Sequence, residues 1–265
     1  MCGRYVVVSK ISEIEEKFGV SAAGPFVSNY NIGPGTMAPV ITDEQPKSLQ
    51  FFQFGLTPFW AKKRMYFFNA RAEGDHNKEN DPSYTGAKGI ISKPAFRKPI
   101  RSQRCLIVAD CFIEGTTKEK LNRPFLVHLE KNRRPFAFAG IWDEWINRDT
   151  GEIVRSFAII TTTPTPLLMK LPHHRSPVIL SKNDESKWID PNASLMDVTA
   201  MLKPYSGYMN AYPISTEIKN PRNNHRDLLK PFGQSVSTDK KLIVEQEIVL
   251  EGMGFSRSRQ RKKDS

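Results

Sequence analysis

Short apolar runs predominate along the chain and predict strands. Seven segments rich in Val, Ile and Phe fit this pattern, namely residues 5–8, 49–56, 66–73, 104–110, 123–129, 136–142 and 153–162. Residues 11–19 instead place apolar side chains at helical spacing opposite acidic ones and predict an amphipathic helix. Because strands do not alternate regularly with helices, a parallel βαβ sheet is not expected. The pattern predicts a single α+β domain around a curved mixed or antiparallel sheet with a few short helices.

Polar stretches between the apolar runs predict helix starts and loops. Asn183 and Asn192 are candidate N-caps for two short helices, and a last short helix is expected after Asn223. Residues 74–103 are polar and rich in Pro and Gly, and a loop of this length in a compact domain is usually functional or mobile. We expect the domain to span residues 1–235. Residues 236–265 form an extension in which an edge strand pair precedes a disordered basic tail.

The charge balance points to a polyanionic partner. The 265 residues contain 39 Lys and Arg against 28 Asp and Glu, a net charge of +11. The last ten residues carry five cations and one anion, so +7 remains on residues 1–255. A basic body favours nucleic acid over a membrane, because no basic amphipathic helix with an aromatic face is present. A basic surface that only aids solubility is the alternative interpretation.

Composition also bounds the compartment and the cofactors. No apolar run is long enough to cross a bilayer, and the N-terminus has no secretory h-region, so we expect a cytoplasmic protein. The three cysteines, Cys2, Cys105 and Cys111, are too few for a disulfide scaffold and have no partners at metal-ligand spacing. We therefore expect no metal and no cofactor, and we interpret Cys105 and Cys111 as core residues.

Cys2 is the first candidate for chemistry, because of its position. Removal of Met1 before this small residue would leave an amine and a thiol on adjacent carbons. Such a pair can attack an aldehyde twice, the amine forming a Schiff base and the thiol then closing a thiazolidine. The alternative is that Cys2 is a small buried hydrophobe.

A second candidate lies in the segment LPHHRSPVIL (171–180). Two adjacent histidines beside Arg175, bounded by prolines, form a rigid cationic loop. A histidine there suits a general acid near neutral pH, and the arginine suits a phosphate. A surface loop whose arginine pairs with a carboxylate is the alternative.

Three further motifs combine polar side chains with apolar strands or a rigid turn. Asn69, Arg71 and Glu73 alternate along one strand face, which predicts a network or a site unless that face meets solvent. Glu114 follows an apolar pair, and burial there would raise its pKa and let it shuttle protons, although an exposed strand end is the commoner case. The turn at 30–36, with its Pro-Gly pair, suits a wedge against stacked bases.

Taken together and in this order, these motifs resemble the SRAP family, the SOS-response-associated peptidases now understood as abasic-site processing proteins. The resemblance spans about residues 1 to 230 and rests on MCGRY, YNIGPGT, FGLTPFW (54–60), NAR (69–71), ADCFIEG, HHRSPVIL and AYPISTEIKNPRNN (211–224). Three positions depart from the family pattern and affect how tightly the glutamate pocket is packed: Gly115 replaces a Trp, Cys111 a Gly, and Ser176 a Met or Arg.

The resemblance implies roles for individual residues. Cys2 would form the thiazolidine with C1′ of the ring-opened sugar. Asn69 would hold the sugar and the amine, Glu114 would shuttle protons, and His173 would protonate the ring oxygen. The implied DNA contacts are Arg4, Pro34, Gly35, Trp60, Arg71 and Arg175; His174 receives no role.

The resemblance also implies the fold and the partner. The family fold is α+β with a barrel-like sheet, which agrees with the strand-rich pattern. The expected partner is single-stranded DNA that contains abasic sites. We expect the protein to be a monomer and to associate with the nucleoid and with the replication machinery.

Two other functions compete with this interpretation. A thiol peptidase would use Cys2 as nucleophile and His173 as base, and would cleave peptides. A non-catalytic nucleic-acid binder would show salt-sensitive DNA binding that ignores abasic lesions.

Overall fold

The computed structural model describes residues 2–130 and 133–238, and these residues form fourteen strands and several short helices. The strands are β1 (Arg4–Val7), β2 (Ser21–Ala22), β3 (Asn29–Ile32), β4 (Met37–Thr42), β5 (Ser48–Phe54), β6 (Asn69–Arg71), β7 (Arg104–Ala109), β8 (Cys111–Thr116), β9 (Lys120–Leu129), β10 (Phe136–Ile146), β11 (Ile153–Thr162), β12 (Ser176–Pro177), β13 (Met209–Pro213) and β14 (Val236–Ser237). The α-helices are α1 (Ile11–Phe18), α2 (Pro99–Ser102), α3 (Pro166–Lys170), α4 (Lys182–Trp188) and α5 (Leu195–Ala200), and short 3-10 helices lie at Gly89–Ile91, Thr216–Lys219 and Arg226–Leu229.

Five strands close into a mixed barrel. Strands β11, β10, β7, β4 and β5 are antiparallel neighbours in this order, and β11 also pairs in parallel with β5, which closes the ring. Aromatic side chains fill the space beside the barrel, where the ring of Tyr5 contacts Phe54 and Phe138 edge to face. The expected α+β fold with a barrel-like mixed sheet is confirmed.

A second sheet packs on the barrel and carries the start of the chain. Its order is β14-β13-β9-β8-β1-β3, and every neighbouring pair in it is antiparallel. Side chains alternate along β8, so Phe112 points into the main core while Cys111 and Ile113 join a smaller apolar cluster on the other face. Cys105 and Cys111 are both buried, as expected of core residues.

Both predicted helix caps are wrong by two residues. Ser194, not Asn192, caps α5, and its hydroxyl accepts a hydrogen bond from the backbone N–H of Asp197. Helix α4 begins after Ser181, so Asn183 lies inside the helix rather than before it. In each case a serine stands directly before the first helical residue, and a serine there is as good a cap as asparagine. The short helix expected after Asn223 is confirmed as the 3-10 turn at Arg226–Leu229.

The chain stays attached to the second sheet slightly beyond residue 235. Strand β14 pairs with β13 through Val236 and Ser237, and the backbone N–H of Thr238 donates to the carbonyl of Met209. The predicted edge strand pair at 242–252 and the basic tail lie outside the described residues. Within the described parts of the chain, no helix has the length and hydropathy needed to span a membrane.

Candidate active site

Cys2 lies in the interior, directly before β1. Strand β1 runs antiparallel to β8 with Arg4 opposite Ile113, which brings the residues before β1 beside Glu114. Cys2 is 1% exposed, and its carbonyl oxygen accepts a hydrogen bond of 2.9 Å from Nδ2 of Asn69. Asn69 is fixed in turn because β6 pairs in parallel with β11. Asn69, which is 67 residues away in sequence, therefore holds the backbone of Cys2 in place.

The Cys2 thiol and the Glu114 carboxyl form a hydrogen bond with each other. Glu114 is 3% exposed, and burial raises its pKa to about 7. Burial, followed by the negative charge of Glu114, raises the pKa of the Cys2 thiol well above its usual value. Cys2 is thus a protonated thiol at neutral pH, and Glu114 is the group placed to take its proton. The predicted raised pKa of Glu114 agrees with this environment.

His173 completes the cluster on the other side of Glu114. Its Nε2 lies 3.3 Å from Oε2 of Glu114, and its Nδ1 lies 2.8 Å from the carbonyl oxygen of Arg175. The backbone N–H of Arg175 also lies 3.4 Å from Nδ1, but the contact with the carbonyl oxygen is much shorter. Because a carbonyl only accepts hydrogen bonds, we assign the proton to Nδ1, and in the neutral ring Nε2 is the acceptor. Burial lowers the pKa of His173 to about 4. Near pH 7 the Glu114 carboxyl is therefore about half protonated, the His173 ring is neutral, and a proton on the pair resides on the carboxyl group.

Glu114 and His173 line a pocket of about 690 Å³. The rest of its lining includes Arg4, Pro34, Phe68, His174 and Lys219, together with residues 115–117 and 120–122 of the β8–β9 hairpin. His174 stacks on His173 with ring centroids 5.2 Å apart, and its Nδ1 lies 2.7 Å from Oγ1 of Thr117. A carboxylic acid, imidazoles and cations thus meet at one concave site, with the Cys2 thiol buried behind Glu114, an arrangement that suits acid–base chemistry on an anionic substrate.

The Pro-Gly turn lies at the edge of this pocket and is firmly anchored. Pro34 and Gly35 are exposed, and Gly35 has a φ of +93° that favours glycine. Behind the turn, Nδ2 of Asn31 donates to the carbonyls of Ile218, Asn220 and Asn223. The sequence did not reveal this role of Asn31, although both segments belonged to the recognised motifs. The guanidinium of Arg4 lies against Gly33, which has no side chain in the way.

The other predicted DNA contacts, Trp60, Arg71 and Arg175, differ in how far they are exposed to solvent. Trp60 is 44% exposed and lies beside Phe59, whose ring contacts Nζ of Lys98 at 4.6 Å, in a separate surface cleft. Arg71 is half-buried and donates hydrogen bonds to Asn77 and Asn80. Arg175 is buried, and its Nη2 donates to Glu73 at 2.7 Å. Arg175 therefore faces a carboxylate within the protein in this structure rather than solvent.

The sequence predicted the environment of Glu73 only in part. The alternation of Asn69, Arg71 and Glu73 predicted a network or a solvent-facing strand, and the structure shows the network. Glu73 lies beyond the end of β6 and is fully buried beneath the histidine loop. Its neighbours in sequence gave no sign of a partner 102 residues away.

Comparison with known families identifies the chain. Its residues 1–221 match the family described as "SOS response associated peptidase (SRAP)". The protein belongs to the SRAP family. The resemblance found in the sequence motifs is thereby confirmed.

Two curated proteins and one solved structure illustrate what the chain is similar to. The abasic site processing protein YoqW of Bacillus subtilis (strain 168) is 33% identical over 240 residues, which cover 87% of this chain and 99% of YoqW. The abasic site processing protein HMCES of Gallus gallus is 23% identical over 91% of this chain and 78% of its own length. A crystal structure of a protein from Bacteroides thetaiotaomicron superposes with a TM-score of 0.73 at 26% identity, covering 87% of this chain and 99% of the other.

Proposed function

We propose that this SRAP protein processes abasic sites in single-stranded DNA by forming a covalent link through Cys2 after removal of Met1. The observation that carries the proposal is the position of Cys2, whose backbone is held by Asn69 and whose thiol contacts Glu114 beside His173. The names of the relatives, abasic site processing proteins, support the same lesion as substrate.

The chemistry requires only proton transfers and the loss of one water. His173 and Glu114 deliver a proton to the ring oxygen of the sugar as the C1′–O bond breaks, and they take up the proton that the C1′ hydroxyl loses as it becomes the aldehyde. The amine of Cys2 adds to the aldehyde carbon, and the resulting carbinolamine loses water to give the imine. The thiol sulfur then adds to the same carbon as Glu114 takes its proton, and the imine nitrogen is protonated. The product is a thiazolidine, with no change of oxidation state.

The remaining residues suit an unstacked strand. Arg4 and Pro34 line the pocket itself, and Gly35 extends the rigid turn beside it. The exposed ring of Trp60 suits base stacking, and the cations around it suit phosphates. C1′ is hard to reach inside a paired helix, which favours single-stranded DNA as substrate.

A single incubation tests the proposal. The protein is mixed with an oligonucleotide carrying one abasic site, boiled in SDS and resolved on a gel, with intact DNA and fully paired abasic DNA as controls. We expect a heat-stable shifted band that forms fastest on the single strand, and faster at low salt. Its mass should show the protein without Met1 and the loss of one water. A heat-stable adduct that retains Met1 would contradict the mechanism.

The thiol peptidase is the weaker alternative. A thiolate–imidazolium pair needs a lowered thiol pKa and a protonated histidine. Burial here raises the pKa of Cys2 and lowers that of His173, and His173 contacts Glu114. Cleavage of a peptide panel at a rate exceeding DNA capture would reverse this ranking. Nucleoid association, a monomeric state and contact with the replication machinery stay predictions.

A further inference from the structure

Glu73 is a buried carboxylate at the centre of a network beneath the active site. It is 0% exposed, and one oxygen accepts from Oγ1 of Thr162 at 3.0 Å while the other accepts from Nη2 of Arg175 at 2.7 Å. Nε of Arg71 lies 3.9 Å from the same oxygen. Burial, the largest single effect, would raise the pKa of Glu73, but the charge and hydrogen bond of Arg175, together with hydrogen bonds from the backbone and from Thr162, lower it overall. Glu73 is therefore ionised and neutralises a buried arginine.

The anchored arginine is also the residue that sets the tautomer of His173. The backbone carbonyl of Arg175 accepts the Nδ1 proton of His173 at 2.8 Å, while its side chain is held by Glu73 and by Oγ1 of Thr161 at 3.3 Å. Side chain and backbone of one residue thus connect Glu73 to the imidazole. Such indirect partners fix ring orientation and tautomer at other histidine sites as well.

We propose that Glu73 is a positioning residue for proton transfer, which anchors and neutralises Arg175 so that His173 presents an unprotonated Nε2 to Glu114. The effect on catalysis rests on the proposed function, whereas the effect on the tautomer does not. Glu73 is not one of the residues that line the pocket and it contacts Arg175 directly, so its effect is expected to pass through Arg175.

The charge of Glu73 matters as well as its shape. The groups around the network are Arg71 from β6, Arg175 and His174 from the loop before β12, Glu114 from β8, and Cys2 with the amine that Met1 removal would expose. Burial and then neighbouring positive charge, including that of Arg175, lower the pKa of His173. Loss of the Glu73 charge leaves Arg175 uncompensated, which lowers the pKa of His173 further and favours the ionised form of Glu114.

The test compares Glu73→Gln with Glu79→Gln. Both remove one negative charge from the same segment, but Glu79 is exposed and lies outside the network. We measure the single-turnover crosslinking rate on abasic single-stranded DNA against pH and DNA concentration, and the tautomer of His173 from its ring ¹⁵N shifts. For Glu73→Gln we expect a rate about tenfold lower at saturating DNA, a profile displaced to lower pH, and a mixed tautomer. Glu79→Gln should match the wild type, and Glu73→Asp should restore part of the rate.

Other outcomes would overturn the proposal in distinguishable ways. A weaker Kd with an unchanged maximal rate would make Glu73 a determinant of DNA binding, and a lower Tm alone would make it structural.

The double variant tests the route through Arg175. In an Arg175→Gln background, Glu73→Gln should have no further effect, and an additive loss would show that Glu73 does not act through Arg175. If Glu73→Gln does not fold, Thr162→Val removes one bond to Glu73 and should shift the profile the same way, and an unchanged profile contradicts the proposal. A wild type that forms no crosslink would refute the proposed function. The ¹⁵N shifts of His173 in Glu73→Gln would still test whether Glu73 sets the tautomer.

Discussion

Nε2 of His173 lies 3.3 Å from Oε2 of Glu114, and the geometry of Nδ1 makes this contact an O–H···N hydrogen bond in the neutral pair. An acid and a base that share one proton can deliver it to the sugar oxygen and recover another from the thiol. The same two residues thereby serve ring opening and ring closure. Burial disfavours the charged form of each group, so it shifts their pKa values in opposite directions and leaves the carboxyl as acid and the imidazole as base.

The first prediction concerns the pH dependence of crosslinking. Because the pKa of Glu114 is raised to about 7, its proton is lost as the pH rises above neutrality. The rate of adduct formation should therefore fall on the alkaline side of pH 7 in wild type. Glu114→Gln should be slower by about 10²-fold and should lack this limb. Single-turnover rates between pH 5.5 and 9 measure both, and a limb retained in Glu114→Gln would assign the titration to another group.

Glu114 should also weaken the fold at alkaline pH. A carboxyl group with a pKa near 7 in the folded state and near 4.5 in the unfolded state binds more protons when folded. Its contribution to stability is thus lost as the pH rises from about 4.5 to 7. Glu114→Gln should raise the free energy of unfolding at pH 8 by on the order of 1–3 kcal/mol and change it little at pH 4. Urea titrations at both values provide the measurement, and equal effects at both would contradict the assigned pKa.

Asn69 should be needed for the rate but not for DNA binding. Its Nδ2 holds the carbonyl of Cys2, which sets the position of the nucleophilic amine. Asn69→Ala should slow crosslinking by about 10- to 100-fold, since misplaced reacting groups lose their near-attack geometry. Its Kd for intact single-stranded DNA should stay within about twofold of wild type. A proportional loss of both would place Asn69 in strand binding instead.

Gly115 is required by the β8–β9 hairpin of this chain. A Cβ at this position would overlap the backbone carbonyl of Lys120, where the strand register shifts. Gly115→Ala should therefore destabilise the fold by about 1–3 kcal/mol, while Gly24→Ala, whose Cβ meets open space, should change stability little. Thermal unfolding compares the two. The tryptophan that the family usually carries here does not fit this hairpin as it stands, and equal stability of both variants would contradict that conclusion.

Local patterns revealed the strands and the identity of the catalytic groups, because both depend on neighbours in sequence. Strands β7, β10 and β11 follow continuous apolar runs, and Cys2 is notable from its position alone. The caps of α4 and α5 were wrong because two capping residues stood close together and only local packing chooses between them. Motif order, rather than periodicity, indicated the barrel.

The sequence did not predict which side chains from distant segments contact each other. Arg175 was expected to contact DNA, yet it is buried and donates to Glu73. Arg104, at the start of β7, is buried as well and donates to the carbonyls of Trp188 and Asp190. A basic segment in a sequence does not reveal which of its cations find carbonyls or carboxylates inside the fold. The overall charge therefore overstates the number of cations at the surface.

The last prediction separates the amine of Cys2 from its thiol. Cys2→Ala in a protein still processed at Met1 keeps the amine, and Asn69, Glu114 and His173 remain to open the sugar. The variant should still form an imine, which borohydride traps. The imine cannot close into a ring, so it stays hydrolysable and acidifies the neighbouring sugar carbon. The heat-stable adduct should therefore vanish without reductant, while strand scission by β-elimination persists or rises.

Two results would contradict that mechanism in different ways. A heat-stable adduct of Cys2→Ala without borohydride would exclude the thiazolidine, since no sulfur is present to close it. Failure of borohydride to trap the variant would show that the amine is not the first nucleophile, and a mechanism led by the thiol would take precedence. Cys111→Ala serves as the control, because this buried thiol lies in the apolar cluster on the opposite face of β8 and its loss should leave both the adduct and scission unchanged.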